Sequence, residues 1–175
     1  TSFAERKVLE ALCRFYRLGK VLLAPSPELC DMLHQRTGRP VHLMTRGCDT
    51  TLFYPRTHAP NSNLILGFTG RLTAEKNLRS LARLQRHLDD RYPGLCRFLI
   101  VGDGSERPWL EANLRNAIFT GVLKGEALAQ AYSSMDLFVF PSETDTYGNV
   151  VVEAMASGVP AIVSGKGGPR FLVNH

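Results

Sequence analysis

Two carboxylates, Asp145 and Glu153, stand eight residues apart in the segment PSETDTYGNVVVEAMASGVPAIVS. Residues 141–148 have the composition of a loop, and residues 149–157 form a short helical run that a glycine and a proline terminate. One carboxylate is therefore expected in a loop and the other on the helix that follows. Because carboxylates accept hydrogen bonds from hydroxyl groups, the pair predicts a ligand that is rich in hydroxyls.

The turn between the two carboxylates predicts an anion site. The first amides of a helix have no intrahelical acceptor, and the helix dipole favours negative charge there. The amides concerned belong to Tyr147, Gly148, Asn149 and Val150. A ligand with phosphate in the middle and hydroxyls at both ends fits this order, and a nucleotide sugar has that shape. For this segment alone a plainer interpretation stays open, in which the loop acid caps the helix and the helix glutamate is solvated.

The elements that must position these residues alternate between β-rich runs and helical periods. The first block predicts a helix near the N-terminus, then strands over 21–24 and 41–44 around a helix over 27–36. Residues 49–63 have no period and predict a linker or a long crossing loop. The second block predicts strands over 64–69, 97–101, 117–120, 136–140 and 161–163, and helices over 77–89, 107–115, 126–133 and 149–157. This alternation predicts an α/β fold with a doubly wound, Rossmann-like parallel sheet.

Ligands of such sheets bind beyond the carboxyl ends of the strands, and this chain places cations at one of those ends. The strand over 64–69 runs into Gly70 and Arg71, and Lys76 follows five residues later. A guanidinium and an ammonium that reach the same crevice suit a diphosphate. The alternative is a surface ion pair with Glu75.

Glycine turns end the next two strands. Gly102 and Gly104 predict a sharp turn where the backbone approaches a flat ligand such as a base. Val122 and Leu123 follow a similar turn after the third strand. The two glycines match a dinucleotide fingerprint poorly because Arg107 stands where the third glycine belongs, which argues against a dehydrogenase.

Composition narrows the class of protein. The chain carries 21 basic and 16 acidic side chains, but it has no nucleic-acid motif and no aromatic platform, so nucleic acid is not expected as a partner. Weak contact with an anionic membrane surface is expected instead. The four cysteines are widely spaced, which predicts free thiols in the cytoplasm and no metal site.

Six stretches of the chain resemble the retaining glycosyltransferases of the GT-B fold, and specifically the group-1 glycosyl transferase family. They are LLAPS, RGCDTTLFYP, GFTGRLTAEKN, FLIVGDGSER, FTGVL and FPSETDTYGNVVVEAMASGVPAIVS, and they cover almost the whole chain in family order. The resemblance implies that residues 1–55 are the last α/β unit of an N-terminal acceptor domain. Residues 56–175 would be most of a C-terminal domain that binds the nucleotide sugar. Both ends then look cut, the C-terminal one at residues 171–175.

The resemblance also implies a role for each candidate residue. Arg71 and Lys76 would bind the donor diphosphate, Glu153 the ribose hydroxyls, and Asp145 the transferred sugar. The family's usual residue at the last of these positions is a glutamate, which is longer by one methylene, so a water or the neighbouring Glu143 would complete the contact. No metal or other cofactor is implied.

The implied reaction transfers a hexose, of mannose or glucose type, with retention from a UDP- or GDP-linked donor to a hydroxyl. The acceptor would be a lipid, a glycan or a small molecule bound by the missing N-terminal domain, so this chain alone should bind nucleotide weakly and transfer nothing. The expected location is the cytoplasm, with peripheral contact at the inner face of the membrane. Two other functions stay open: a non-catalytic nucleotide-binding or docking module on the same fold, and a nucleotide-sugar epimerase.

Overall fold

The computed structural model describes residues 3–57 and 63–173. The chain divides into two compact units, residues 1–46 and residues 47–175. The boundary between them precedes the one expected after residue 55, and the assignment of the two parts to acceptor and donor domains stays a prediction. Residues 58–62 of the predicted linker and residues 174–175 of the expected C-terminal cut lie outside the described residues.

The first unit is a strand–helix–strand arrangement preceded by a helix. It comprises α1 (Phe3–Tyr16), β1 (Leu22–Ala24), α2 (Pro27–Thr37) and β2 (Val41–Leu43). The two strands pair in parallel, with Leu22 opposite Val41. The hydroxyl of Ser26 accepts the amide of Leu29 at the start of α2, and Gly38 ends that helix in the left-handed conformation. The predicted elements of this unit are confirmed within one residue at each end.

The second unit contains the predicted alternation of strands and helices. Its elements are β3 (Leu64–Thr69), α3 (Arg79–Arg91), β4 (Cys96–Val101), α4 (Arg107–Asn113), β5 (Ile118–Gly121), α5 (Gly125–Ser133), β6 (Leu137–Phe140), α6 (Asn149–Ala156) and β7 (Ala161–Val163), with 3₁₀ turns at Ala74–Lys76 and Gly168–Phe171. The largest displacement of an end is two residues. The helix predicted from residue 77 begins only at Arg79 because Asn77 takes a left-handed conformation, with φ of 55°.

All five strands of the second unit run parallel, in the order β5-β4-β3-β6-β7. The chain thus enters at the centre of the sheet, builds outward through β4 and β5, and returns to place β6 on the other side of β3. The predicted doubly wound sheet is confirmed. Its topological switch point, where such sheets bind ligands, lies between β3 and β6.

The core explains why the three central strands read as continuous apolar runs. Phe68 of β3, Phe98 of β4 and Phe138 of β6 are fully buried. Helices cover both faces of a parallel sheet, so its inner strands have no polar face to alternate with. The edge strands β5 and β7 differ, because Ile118 and Ile162 are exposed.

Residues 49–57 are irregular, as predicted, but they are anchored to the second unit and do not form a free linker. Phe53 is buried, and its ring meets that of Tyr132 edge-on with centroids 5.7 Å apart. The guanidinium of Arg56 lies 2.9 Å from a carboxylate oxygen of Glu126. This packing explains why the boundary between the units precedes this segment, and a single apolar anchor in an irregular segment gives no periodic signal in the sequence.

Candidate functional site

The switch point brings together a cation and a carboxylate that are 69 residues apart in sequence. Lys76 ends the 3₁₀ turn that follows β3, and Asp145 lies in the loop that follows β6. The ammonium of Lys76 donates to both carboxylate oxygens of Asp145 at 2.8 Å. Only 11% of the Lys76 side chain and 23% of the Asp145 side chain are exposed. The fold therefore holds this pair in one geometry at the place where ligands of such sheets bind.

Hydrogen bonds between the two loops fix that geometry. The hydroxyl of Thr144 donates to the carbonyl of Glu75 at 3.3 Å, and the side-chain amide of Asn77 donates to the carbonyl of Pro141 at 3.4 Å. Because β3 and β6 are neighbours in the sheet, their following loops leave it side by side. The left-handed Asn77 then turns the chain directly from the lysine into α3.

The loop after β7 closes against the Asp145 loop from the other side. The amide of Gly168 donates to the carbonyl of Asp145 at 2.8 Å. A Cβ atom at Gly168 would lie 1.9 Å from the carbonyl oxygen of Thr146, so any side chain there must displace the loop. Glu143, the alternative sugar contact, is exposed and pairs with Lys166 at 3.2 Å. Sequence reasoning missed Gly168, although two adjacent glycines after a strand could have indicated a close approach.

Arg71 stands in a different environment from Lys76. Its side chain is 76% exposed, and its nearest carboxylate oxygen belongs to Glu75 at 3.8 Å. This geometry matches the surface ion pair that the sequence left as an alternative. The hydroxyl of Thr73 donates to Glu75, and this hydrogen bond is the main reason why the pKa of Glu75 is lowered. The two predicted cations therefore differ in how firmly they are held.

Glu153 lies on α6 and is half-buried. Its Oε2 atom accepts a hydrogen bond from the phenol of Tyr132 at 2.8 Å. Burial raises the pKa of Glu153, and the Tyr132 hydrogen bond acts in the opposite direction. The pKa of the nearby Cys48 thiol is raised, first by burial and then by the negative charge of Glu153. Sequence reasoning missed Tyr132, whose position in a helical pattern is typical of a core residue.

The helix start between the two carboxylates has the predicted form. Gly148 precedes α6 with φ of 96°, a conformation that favours glycine. Within residues 3–57 and 63–173, the amides of Gly148, Asn149 and Val150 donate no hydrogen bond, and the first amide that does belongs to Val151, which donates to the Gly148 carbonyl at 2.9 Å. The turn thus presents donors that a ligand could use. Tyr147, the fourth residue of the prediction, is buried.

A cavity of about 220 Å³ lies beyond the ends of β3, β4 and β5. Its lining includes five of the predicted residues: Gly70, Arg71, Gly102, Val122 and Leu123. Gly104 is not among the lining residues. The cavity therefore lies where the loop after β3, which carries Arg71, meets the turns after β4 and β5.

Glycine is required at both positions after β4 for a steric reason that the sequence did not reveal. A Cβ atom at Gly102 would lie 1.9 Å from the carbonyl oxygen of Gly70, and one at Gly104 would lie 2.4 Å from that of Leu72. The loops after β3 and β4 therefore cross in direct backbone contact, which excludes a side chain at either position. The neighbouring loop is one reason for these glycines, and the expected approach of a flat ligand to this turn stays a prediction.

Other kinds of site find no support in the described part of the chain. Among its residues, no three histidine, cysteine, aspartate or glutamate side chains come close enough to hold a metal ion. No helix within residues 3–57 and 63–173 has the length and apolarity needed to span a membrane. The four cysteines are free thiols.

Comparison with known proteins identifies the family. Residues 63–175 match the family model of the group 1 glycosyl transferases. A GDP-mannose-dependent alpha-mannosyltransferase of Mycolicibacterium smegmatis is 45% identical over 159 residues, which are 86% of this chain and 41% of that protein. The chain belongs to the group 1 glycosyl transferases, and the resemblance in its sequence motifs is confirmed. It spans about two-fifths of the length of this relative.

Solved structures show the same fold. The sucrose-phosphate synthase of Thermosynechococcus elongatus superposes with a TM-score of 0.76 at 27% identity, over 88% of this chain and 43% of that one. The Anabaena protein HepE, in complex with UDP and glucose, gives a TM-score of 0.76 at 20% identity, over 95% of this chain and 51% of that one. These neighbours are glycosyltransferases of the GT-B fold, as the sequence predicted.

Proposed function

We propose that this chain is the donor-binding part of a retaining, metal-independent mannosyltransferase that uses GDP-mannose. The observation that carries the proposal is the Lys76–Asp145 pair, which lies at the switch point beside the start of α6. The similarity to a GDP-mannose-dependent alpha-mannosyltransferase favours mannose over glucose and GDP over UDP. Retention and independence from metal are proposed from the family resemblance.

Lys76 and the α6 amides would stabilise the leaving group. When the bond between the anomeric carbon and the phosphate oxygen breaks, the electron pair leaves with GDP and negative charge develops on the diphosphate. The ammonium of Lys76 and the amides of Gly148, Asn149 and Val150 are donors that the fold already holds in place. Donors that need no reorganisation lower the free energy of the transition state, by about 2–4 kcal/mol each where single donors have been removed. Arg71, which is exposed and lines the cavity beyond β3, would add a second cation.

Asp145 would bind the transferred sugar while it positions Lys76. Each of its oxygens accepts one hydrogen bond from the ammonium, and an ionised carboxylate has further lone pairs for sugar hydroxyls. The ammonium also offsets the negative charge of Asp145, so that the site does not repel the diphosphate. Glu153, on the other side of the helix start, would accept the ribose hydroxyls.

The acceptor hydroxyl, on a lipid, glycan or small molecule, is proposed to bind outside this chain. Eight basic and four acidic residues occur in residues 1–46, and this excess supports peripheral contact with an anionic membrane from the cytoplasm. The acceptor is therefore proposed to lie at or near a membrane surface.

Calorimetric titration with GDP, UDP and GMP tests the proposal. We expect GDP to bind more tightly than GMP, because the diphosphate reaches Lys76, and more tightly than UDP. Addition of EDTA should leave binding unchanged. A chain that binds no nucleotide at about 1 mM supports a docking module and overturns the proposal. Incubation with GDP-mannose in the absence of acceptor separates the epimerase alternative, which would convert the sugar without one.

A further inference from the structure

We propose that Tyr132 is a positioning residue for the ribose end of the donor. Its phenol holds one oxygen of Glu153 so that the other oxygen points freely to accept the ribose hydroxyls. The inference rests on the proposed function, because it takes Glu153 to be the residue that binds ribose. It adds a residue of α5 that touches no substrate and acts only through the carboxylate.

The ring of Tyr132 is held on two sides by other aromatic rings. Tyr132 is completely buried, and its ring meets Phe53 at a centroid distance of 5.7 Å and an interplanar angle of 79°. The ring of Phe138 on β6 lies 5.8 Å away. These ring contacts restrict the directions from which the phenol can reach Glu153. Phe53 comes from the irregular segment that follows the first unit, so the burial of that segment contributes to the geometry.

The hydrogen bond from Tyr132 uses only one of the two oxygens of the Glu153 carboxylate. Oε2 of Glu153 accepts from the Tyr132 phenol at 2.8 Å, and Oε1 accepts no hydrogen bond from the described residues. A glutamate side chain has three rotatable bonds, and a ligand that must order it loses affinity. A donor that already orders the carboxylate removes this loss. Oε1 is then available in one position for a diol.

The charges around Glu153 support the same role. Among the described residues, the titratable groups that reach it are Tyr132 from α5 and Cys48 from the segment before β3. Burial and the adjacent carboxylate raise the pKa of Tyr132 far above its ordinary value, so the phenol stays a neutral donor. The pKa of the Cys48 thiol is also raised. Because burial raises the pKa of Glu153 and the phenol opposes that rise, loss of the phenol should make Glu153 protonate at higher pH.

The test compares GDP with 2′-deoxy-GDP on the wild-type chain and on Tyr132→Phe, which removes only the hydroxyl. We expect the wild type to prefer GDP, and Tyr132→Phe to weaken GDP binding about tenfold while it changes 2′-deoxy-GDP binding little. The pH below which GDP binding weakens should rise in Tyr132→Phe. Ser133→Ala is the matched control, since it removes a buried hydroxyl from the next position of α5, where the partner is the carbonyl of Tyr54.

Each outcome separates a positioning role from a structural one. Equal loss of affinity for the two nucleotides, or an unchanged pH profile, overturns the inference because general loosening of the core does not distinguish a 2′-hydroxyl. Phe53→Leu keeps the phenol but loosens its ring, and it should lower the preference for GDP by less than Tyr132→Phe does. Glu153→Gln should remove both the preference and the pH dependence. If Glu153→Gln keeps the preference, the ribose assignment of the proposed function fails, whatever Tyr132→Phe shows.

Discussion

The two carboxylates that flank the start of α6 have partners of different charge, one a cation and the other neutral. Asp145 meets the ammonium of Lys76, and Glu153 meets the neutral phenol of Tyr132, each at 2.8 Å. The first pair carries no net charge, whereas in the second an ionisable carboxylate meets a neutral donor in a half-buried place. The pKa of Glu153 is accordingly raised by burial. The difference shows how one helix start can combine a cation for phosphate with an acceptor for hydroxyls.

The two pairs also differ in how the chain builds them. Lys76 and Asp145 are 69 residues apart and meet only because β3 and β6 are neighbours in the sheet. Tyr132 and Glu153 are 21 residues apart and lie on consecutive helices, α5 and α6. The ion pair therefore depends on the topology of the whole second unit, and the phenol–carboxylate pair on local helix packing.

The largest expected effect comes from removing the cation of the first pair. On the proposed function, Lys76→Ala in a protein that also carries the acceptor-binding part should lower turnover of GDP-mannose about a hundredfold or more, because the developing phosphate charge loses a fixed donor. It should also lower the melting temperature, since Asp145 is left partly buried without its counter-charge. Steady-state kinetics and thermal unfolding measure the two effects.

The control for this change is Arg83→Ala, which removes an exposed cation from α3. It should leave both turnover and stability close to those of the wild type. Turnover of Lys76→Ala within threefold of the wild type would remove Lys76 from the mechanism and would leave the ion pair with a structural role only.

A glycine of the loop after β7 offers a way to move Asp145 without changing its charge. In Gly168→Ala the new methyl group would lie 1.9 Å from the carbonyl oxygen of Thr146, so the loop that carries Asp145 must shift. Crowding of this kind costs about 1–3 kcal/mol of stability. Chemical denaturation should show that loss, and GDP binding should weaken because Lys76 follows Asp145.

Gly165→Ala is the matched control in the same loop, because a Cβ atom there meets no atom within 4 Å. Its stability and GDP affinity should equal those of the wild type. The preference for GDP over 2′-deoxy-GDP should survive in Gly168→Ala, since Tyr132 and Glu153 lie on other elements. A loss of that preference would mean that the two pairs are not independent.

The sequence predicted the strands and the helices and indicated individual residues of the candidate site, but it did not predict the Lys76–Asp145 ion pair. Periodicity gave every element of the sheet, and the strand ends and family motifs indicated Lys76, Asp145 and Glu153. Tyr132 was not predicted as a site residue because its position in the helical pattern of α5 is typical of a core residue. The sequence gives no sign that its hydroxyl contacts a carboxylate. Gly168 escaped because its requirement comes from a carbonyl 22 residues earlier in the chain, that of Thr146. Contacts between loops of different strands leave no periodic trace.

The smallest expected effect concerns stability at the second pair. Burial raises the folded pKa of Glu153 above its unfolded value. Between those two values the folded chain binds more protons than the unfolded chain, so the stability contributed by Glu153 falls as pH rises through that window. Glu153→Gln does not titrate, and its amide oxygen can still accept the phenol. Relative to the wild type it should therefore gain stability as pH rises through that window and keep the gain above it, by about 1 kcal/mol or less because water partly screens the carboxylate.

Thermal unfolding across that pH range checks the gain, and Glu111→Gln, which changes an exposed carboxylate of α4, should not show it. The same Glu153→Gln variant is expected to bind GDP more weakly, so its stability and its affinity should change in opposite directions. A rise in stability with a loss of affinity is expected if the carboxylate serves ligand binding, because a buried carboxylate destabilises the protein when no ligand is bound. If Glu153→Gln lost stability equally at all pH values, the carboxylate would serve packing through Tyr132, and the contrast between the two pairs would disappear.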